Sequence, residues 1–132
     1  MKIGFYPMVA DILHTGHILA IEEASKNCDY LIVGLNCTPN GKCPIQSIYE
    51  RFIQLRGVKW IDEIIPYQGR SDLEKLAKSL QYDIRFLGEE YRDKDWDGKD
   101  IELSLNKEIF FLHRQHQFSS SELKKRIEER KY

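Results

Sequence analysis

What this chain lacks narrows its function first. No apolar run in its 132 residues approaches the roughly 20 needed to cross a bilayer, and no charged, apolar and small-residue sequence resembles a signal peptide. Its three cysteines, Cys28, Cys37 and Cys43, form no Cys-x-x-Cys pair. An odd count without a secretion signal predicts reduced thiols and a cytoplasmic location rather than a disulfide framework. Neither sign of charge dominates: a net charge of −1 leaves no basic footprint for nucleic acid. Repeats and low-complexity linkers are missing too. The length suits one domain, residues 1–132, with its own core.

What is present is organised around Asp11-Ile12-Leu13-His14-Thr15-Gly16-His17. It follows an apolar opening and precedes an amphipathic run, so it reads as strand, tight turn and helix start. Unpaired N–H groups and the positive end of the dipole make such a start an anion site. Gly16, with no Cβ, lets a phosphate approach the backbone. Imidazoles three residues apart, His14 and His17, face one ligand and can donate to its oxygens. Two histidines at a turn are as readily a structural hydrogen-bonded pair. Zinc is the weaker reading, since only Asp11 is near enough to add a ligand.

The rest alternates. Strands are expected over 2–6 (closed by Pro7), 29–35, 62–66, 83–87 and 107–112. Helices are expected over 15–26, from the Ser47/Glu50 capping box through about Trp60, from Ser71, and over 119–131. Residues 36–46 read as a loop able to carry Lys42. Residues 92–99 read as an exposed loop with Trp96 as anchor. Alternation predicts an α/β, Rossmann-like, five-stranded parallel sheet with helices on both faces. Ligands bind such sheets beyond the strand C-termini. His14 and His17 follow strand one, Gly88 follows strand four and Arg114 follows strand five, so the separate clues converge on one edge.

The motif resembles the His-x-Gly-His signature of the nucleotidyltransferase superfamily. The chain is most similar to small bacterial cytidylyltransferases of the glycerol-3-phosphate type. Further landmarks are Cys28 to Val33, Tyr49-Glu50-Arg51, Trp60 to Pro66, Gly88-Glu89-Glu90-Tyr91, and Arg114 with Ser119-Ser120-Ser121. The resemblance implies a homodimer that joins CTP to a phosphorylated small alcohol, with Mg2+, and releases pyrophosphate. Within that reading His14, His17, Lys42 and Arg114 are the catalytic cations and donors. Met8, Val9, Asp11, Gly16, Gly88, Glu89, Glu90, Ser119, Ser120 and Ser121 bind nucleotide, and Arg51 and Lys59 lie on the acceptor side. Asp11 is a candidate either to hold magnesium or to orient a histidine. Arg51 and Asp62 are candidates to pair across helix and strand, and the basic residues from Lys124 to Arg130 read as a solvated helix face. Departures from the pattern are Met8-Val9-Ala10 for Gly-Thr-Phe, Lys59 for Arg, and an eroded segment at 113–119. Ala10, in place of Phe, would widen the slot for a purine, which keeps an adenylyltransferase in view beside a catalytically silent nucleotide-binding module.

Overall fold

A computed structural model describes residues 1–40, 43–113 and 119–130. Five parallel strands stand in the order β3-β2-β1-β4-β5. They are β1 (Ile3–Met8), β2 (Tyr30–Asn36), β3 (Glu63–Tyr67), β4 (Ile84–Gly88) and β5 (Glu108–Leu112). Helices α1 (Thr15–Lys26), α2 (Ile48–Arg56), α3 (Gly69–Ser79) and α4 (Lys99–Ser104) lie in the successive crossovers, and α5 (Ser120–Glu129) follows β5. The expected α/β, Rossmann-like sheet is therefore the fold. Among the described residues, no helix is long and apolar enough to cross a membrane.

Alternation along the strands builds two cores. On β2, Leu31, Val33 and Leu35 face Ile21 and Ala24 of α1 and Leu55 of α2, while Ile32 turns the other way. There it joins Phe5 of β1, Leu73 and Ala77 of α3, and Tyr82. Both faces are covered, so the strand reads as an almost continuous apolar run.

Several boundaries differ from the sequence reading for local reasons. Pro7 does not end β1; the strand continues to Met8. The β1–β4 ladder holds only at Gly4–Ile84 and Phe5–Arg85, whereas β1–β2 pairing runs on to Met8. Pro7 thus stands where one neighbour has already diverged, and its missing N–H leaves no gap in that ladder. The α2 helix keeps its Ser47/Glu50 capping box but ends at Arg56, with Gly57 as its C-cap and the Val58 N–H tightening to the Leu55 carbonyl, three residues back. Gln68, not Ser71, caps α3, and the Asp72 carboxylate accepts the Gln68 N–H. Residues 92–99, expected as an exposed loop, are flanked by a turn of 3-10 helix and by the short α4, which begins at Lys99; Ile101 of α4 packs on the second core. Trp96 is the anchor expected, buried at 9% exposure.

Arg51 is one of the largest fully buried side chains, 1% exposed. Its Nη1 donates to the Val9 carbonyl at 2.9 Å and to the Asn36 carbonyl at 2.8 Å, tying α2 to the ends of β1 and β2. It does not pair with Asp62, whose carboxylate accepts the Leu31 N–H instead. Arg51 is a brace beneath the sheet edge rather than an open acceptor-side cation. Replacing it with Met strands two carbonyls and removes charge-assisted hydrogen bonds. We expect Arg51→Met to cost about 3 kcal/mol in urea unfolding, against less than about 0.5 kcal/mol for exposed Lys59→Ala.

Candidate active site

The turn from β1 to α1 is conformationally costly. Ala10 and Ile12 have positive φ, 58° and 51°, in a region that a β-branched residue rarely enters. Hydrogen bonds from the 45–46 segment oppose that strain. Ile12 N–H donates to Gln46 Oε1 at 2.6 Å, and the Asp11 carboxylate accepts from Ile45 and Gln46 N–H, each at 3.0 Å. The Asp11 pKa is pushed up by burial, but the Gln46 and Ile45 donors, with Lys124 and Arg51, outweigh that and leave it lowered. Both oxygens of Asp11 therefore fasten the loop, and they fit a magnesium ligand poorly. No three His, Cys, Asp or Glu side chains among the described residues could hold a metal.

The two histidines cap α1 reciprocally. His14 Nδ1 accepts the Gly16 N–H at 3.0 Å, and His17 Nδ1 accepts the His14 N–H at 3.2 Å. The structural-pair reading is thus the arrangement observed, at the helix start where the sequence reading places an anion. An imidazole accepting at Nδ1 carries its proton at Nε2. The rings lie 4.0 Å apart between centroids at 38° to each other. Burial, then the neighbouring His14, pushes the His17 pKa down to about 4, only partly opposed by Asp11, so this donor is neutral near pH 7. Gly16 is buried and its N–H is used by the cap, which corrects the expectation that this amide meets a phosphate directly.

Helix α5 completes this side. Ser119 caps it by accepting the Glu122 N–H at 3.0 Å, and a small hollow of about 60 Å³ lies between His14, Ser119 and Arg126. Lys124 Nζ lies 3.7 Å from Asp11 Oδ2. The basic residues of this helix are therefore not only a solvated face: Lys124 and Arg126 were missed because acidic neighbours one turn away, Glu128 for the first and Glu122 and Glu129 for the second, make them resemble one. Ser121 is exposed. Lys42 and Arg114, and the side chain of Ser120, lie outside the described residues.

A larger cavity of about 400 Å³ opens where β1 and β4 splay apart beyond Pro7. Met8, Val9, Gly88 and Glu90 line it, as the sequence suggested for a binding edge. At Gly88 any Cβ would collide with the Glu90 carboxylate, so glycine lets the acid fold back over the strand end. Glu89 points away and pairs with Arg92 at 3.2 Å. Lys59 is misplaced in the acceptor-side reading: it precedes β3, at the opposite edge of the sheet, and covers the Trp60 ring at 4.8 Å. Ala10, 1% exposed, is packed into the core and does not widen this cavity.

Tyr6, Tyr67, Trp96 and Arg85 also line the cavity, and the sequence reading missed them. Tyr6 and Arg85 fell within expected strands, Tyr67 just past another, and Trp96 was expected only as the anchor of a loop. Burial, then Glu90, pushes the Tyr6 pKa up to about 12; burial does the same for Tyr67 despite Arg85. Both hydroxyls keep their protons near neutrality and can donate as well as accept.

The depressed His17 pKa has a consequence for folding. The unfolded ring, with a pKa near 6.5, binds a proton before the folded one as pH falls. The His17 contribution is complete above about pH 6.5 and is lost as pH falls toward 4. Between pH 7 and 4.5 we expect wild-type stability to fall by on the order of 2 kcal/mol more than that of His17→Asn. Urea titrations at both pH values measure it.

Comparison with known proteins follows this geometry. The Cytidylyltransferase-like family model matches residues 5–126. Bifunctional protein HldE of Hyphomonas neptunium is 33% identical over 118 residues, covering 85% of this chain but 24% of that protein. The chain thus spans about a quarter of that relative's length. Glycerol-3-phosphate cytidylyltransferase of Staphylococcus aureus is 26% identical, with 89% of this chain and 88% of that one aligned. Among solved structures, the lipopolysaccharide core biosynthesis protein of Thermoplasma volcanium superposes with a TM-score of 0.73 at 27% identity, covering 88% of this chain and 99% of that one. With its paired histidines at the head of α1 and a family match running from β1 into α5, the chain belongs to the Cytidylyltransferase-like family of nucleotidyltransferases.

Proposed function

We propose that the protein transfers CMP from CTP to a phosphorylated small alcohol, either a polyol or an amino alcohol, and releases pyrophosphate. The observation that carries this reading is the histidine capping box, which fixes two imidazoles as Nε2–H donors at a helix N-terminus on the sheet's binding edge. An oxygen of the acceptor phosphate attacks the α-phosphorus. The bond from that phosphorus to the α–β bridging oxygen breaks, and the electron pair leaves with pyrophosphate. Negative charge grows on the bridge, and neutral donors held in advance stabilise it without reorganising.

His14 and His17 serve that bridge in this reading. Lys42 and Arg114 are assigned to the reacting phosphates, and Ser119, Ser120 and Ser121, at the head of α5, to the β- and γ-phosphates. Arg126, beside His14 in the small hollow, adds a cation on the same side. Magnesium enters the proposal as counter-ion of the triphosphate, not as an ion held by Asp11. The same reading includes a homodimer. CTP is favoured by the spacing from His17 to Arg51, by the Trp60 to Pro66 segment, and by Gly88-Glu89-Glu90-Tyr91. The packed position of Ala10 removes one of the features that favoured a purine; the resemblance of Phe118-Ser119-Ser120-Ser121 to the Ile-Ser-Ser-Thr segment of adenylyltransferases is the other.

The reading is tested by incubating the protein with each nucleoside triphosphate, magnesium and a panel of phosphorylated alcohols while following pyrophosphate. CTP-dependent release is expected; release with ATP alone overturns the choice of base. His17→Ala is expected to lower kcat by about 10²–10³-fold, the loss of one donor aimed at developing charge. Near-wild-type kcat in a folded variant removes the assigned role.

A further inference from the structure

Two carboxylate–cation units lie outside the histidine turn, and they differ in kind. In the first, Arg85, 5% exposed in the middle of β4, donates from Nη1 to both oxygens of the fully buried Glu102, at 3.2 and 3.1 Å. Glu102 also accepts from Trp96 Nε1–H at 2.8 Å and from the Tyr82 hydroxyl at 2.6 Å. That carboxylate is satisfied from within the protein and closed to solvent, so it braces β4 against the segment that follows.

The second unit is partly open to solvent and joins different elements. Glu23, toward the end of α1, meets His113, the residue directly after β5 and ninety positions on. The His113 backbone N–H donates to Glu23 Oε1 at 2.9 Å and, more weakly, to Oε2 at 3.3 Å. The ring Nδ1 stands 2.7 Å from the same Oε2. Among the described residues this carboxylate has no other hydrogen-bond or ion-pair partner. The imidazole also meets the edge of Phe110, with ring centroids 6.4 Å apart at 78°.

The end of the sheet explains the contact. The β4–β5 ladder closes at Gly88–Leu112, because Glu89 opens a 3-10 turn and leaves the strand. The His113 N–H is the first donor beyond that ladder, and Glu23 supplies the acceptor that β4 no longer offers. A carboxylate binds both the amide and a protonated ring more strongly than a neutral acceptor would. Glu23 first, and Glu89 after it, raise the His113 pKa against burial and Arg92, so the pair keeps its charge to higher pH than a free histidine allows.

The two elements joined are those that carry the proposed reacting groups. His14 and His17 stand at the head of α1, and Arg114 is the next residue after His113 in the sequence. Arg114 lies outside the described residues, but its chain neighbour is fastened to the helix that bears both imidazoles. From His17 to Glu23 is six residues of one rigid helix, about 9 Å of rise. Phosphoryl chemistry depends on such spacing, since a misplacement of about 1 Å can cost about 10²-fold in rate.

We propose that Glu23 is a positioning residue for nucleotidyl transfer: by clamping His113 to α1 it sets the point from which Arg114 reaches the reacting phosphates. The proposal rests on the reading that assigns Arg114 and the two histidines to those phosphates.

Calorimetric titration of the full chain with a CTP analogue bearing a non-transferable α,β-methylene bridge, in the presence of magnesium, tests it as a double-mutant cycle. Glu23→Ala, with native circular dichroism, is expected to bind the analogue about tenfold more weakly than wild type. Glu23→Gln keeps an acceptor for the His113 N–H but gives up the charged pair, and is expected to lose about threefold. In an Arg114→Ala background neither change should weaken binding further, because the clamp acts through that arginine. A merely structural role, such as loosening α1, lowers affinity equally in both backgrounds, and that additivity overturns the proposal. So does a Glu23→Ala variant that binds the analogue as tightly as wild type. If Glu23→Ala does not fold, Glu23→Gln carries the same cycle. The two readings fail distinguishably: analogue binding without coupling between Glu23 and Arg114 sinks only this proposal, whereas a wild-type protein that binds no analogue sinks nucleotidyl transfer and this proposal with it.

Discussion

A buried guanidinium holds the binding edge of this sheet together. Arg51 reaches from α2 to the carbonyls of Val9 and Asn36, the first just past the end of β1 and the second at the end of β2. Without it two strand ends would present unsatisfied acceptors to the interior, a state that folded proteins avoid. The turn that carries the histidines begins directly beyond Val9. Its position relative to β2 is therefore set from below, by a residue that touches no substrate in the reading given above.

The same edge is held from outside by the 45–46 segment. Left-handed Ala10 and Ile12 are unfavourable alone, and the turn persists because Asp11 and Gln46 lock it with three hydrogen bonds. Fixing this turn also fixes the imidazoles, since His14 is the first residue of the capping box. Two forms of pre-organisation meet here: a backbone held in a strained turn, and rings held by backbone donors. Helix α1 begins without an acidic residue in its first turn, so no carboxylate of its own offsets its positive end.

Much of the architecture could be read from the sequence because it rests on period and local chemistry. The nearly continuous apolar run of Leu31 to Leu35, the Ser47/Glu50 box and the strand–helix order all state their outcomes within a few residues. What escaped depended on pairing between distant segments. Pro7 looks like a stop until β4 is seen to have left its side. Lys59 looks like a site cation until β3 places it at the far edge. Arg85 was legible only as part of strand four, because nothing near it in sequence announces Glu102, seventeen positions on. His14 and His17 were legible as a pair, yet which ring atom accepts and which donates follows only from the cap geometry.

The Arg85–Glu102 unit also bears on how such proteins can diversify. Segment 89–104 is densely charged and joins two neighbouring strands, β4 and β5, through a 3-10 turn and the short α4. Here it cannot be exchanged alone. Removing Trp96 and Glu102 would leave Arg85 as an uncompensated charge inside β4, and changing Arg85 would leave Glu102 equally exposed to the low-dielectric interior. Tyr82, at the entry to β4, is bound into the same set. Strand β4 and the segment that follows it are therefore constrained to change together.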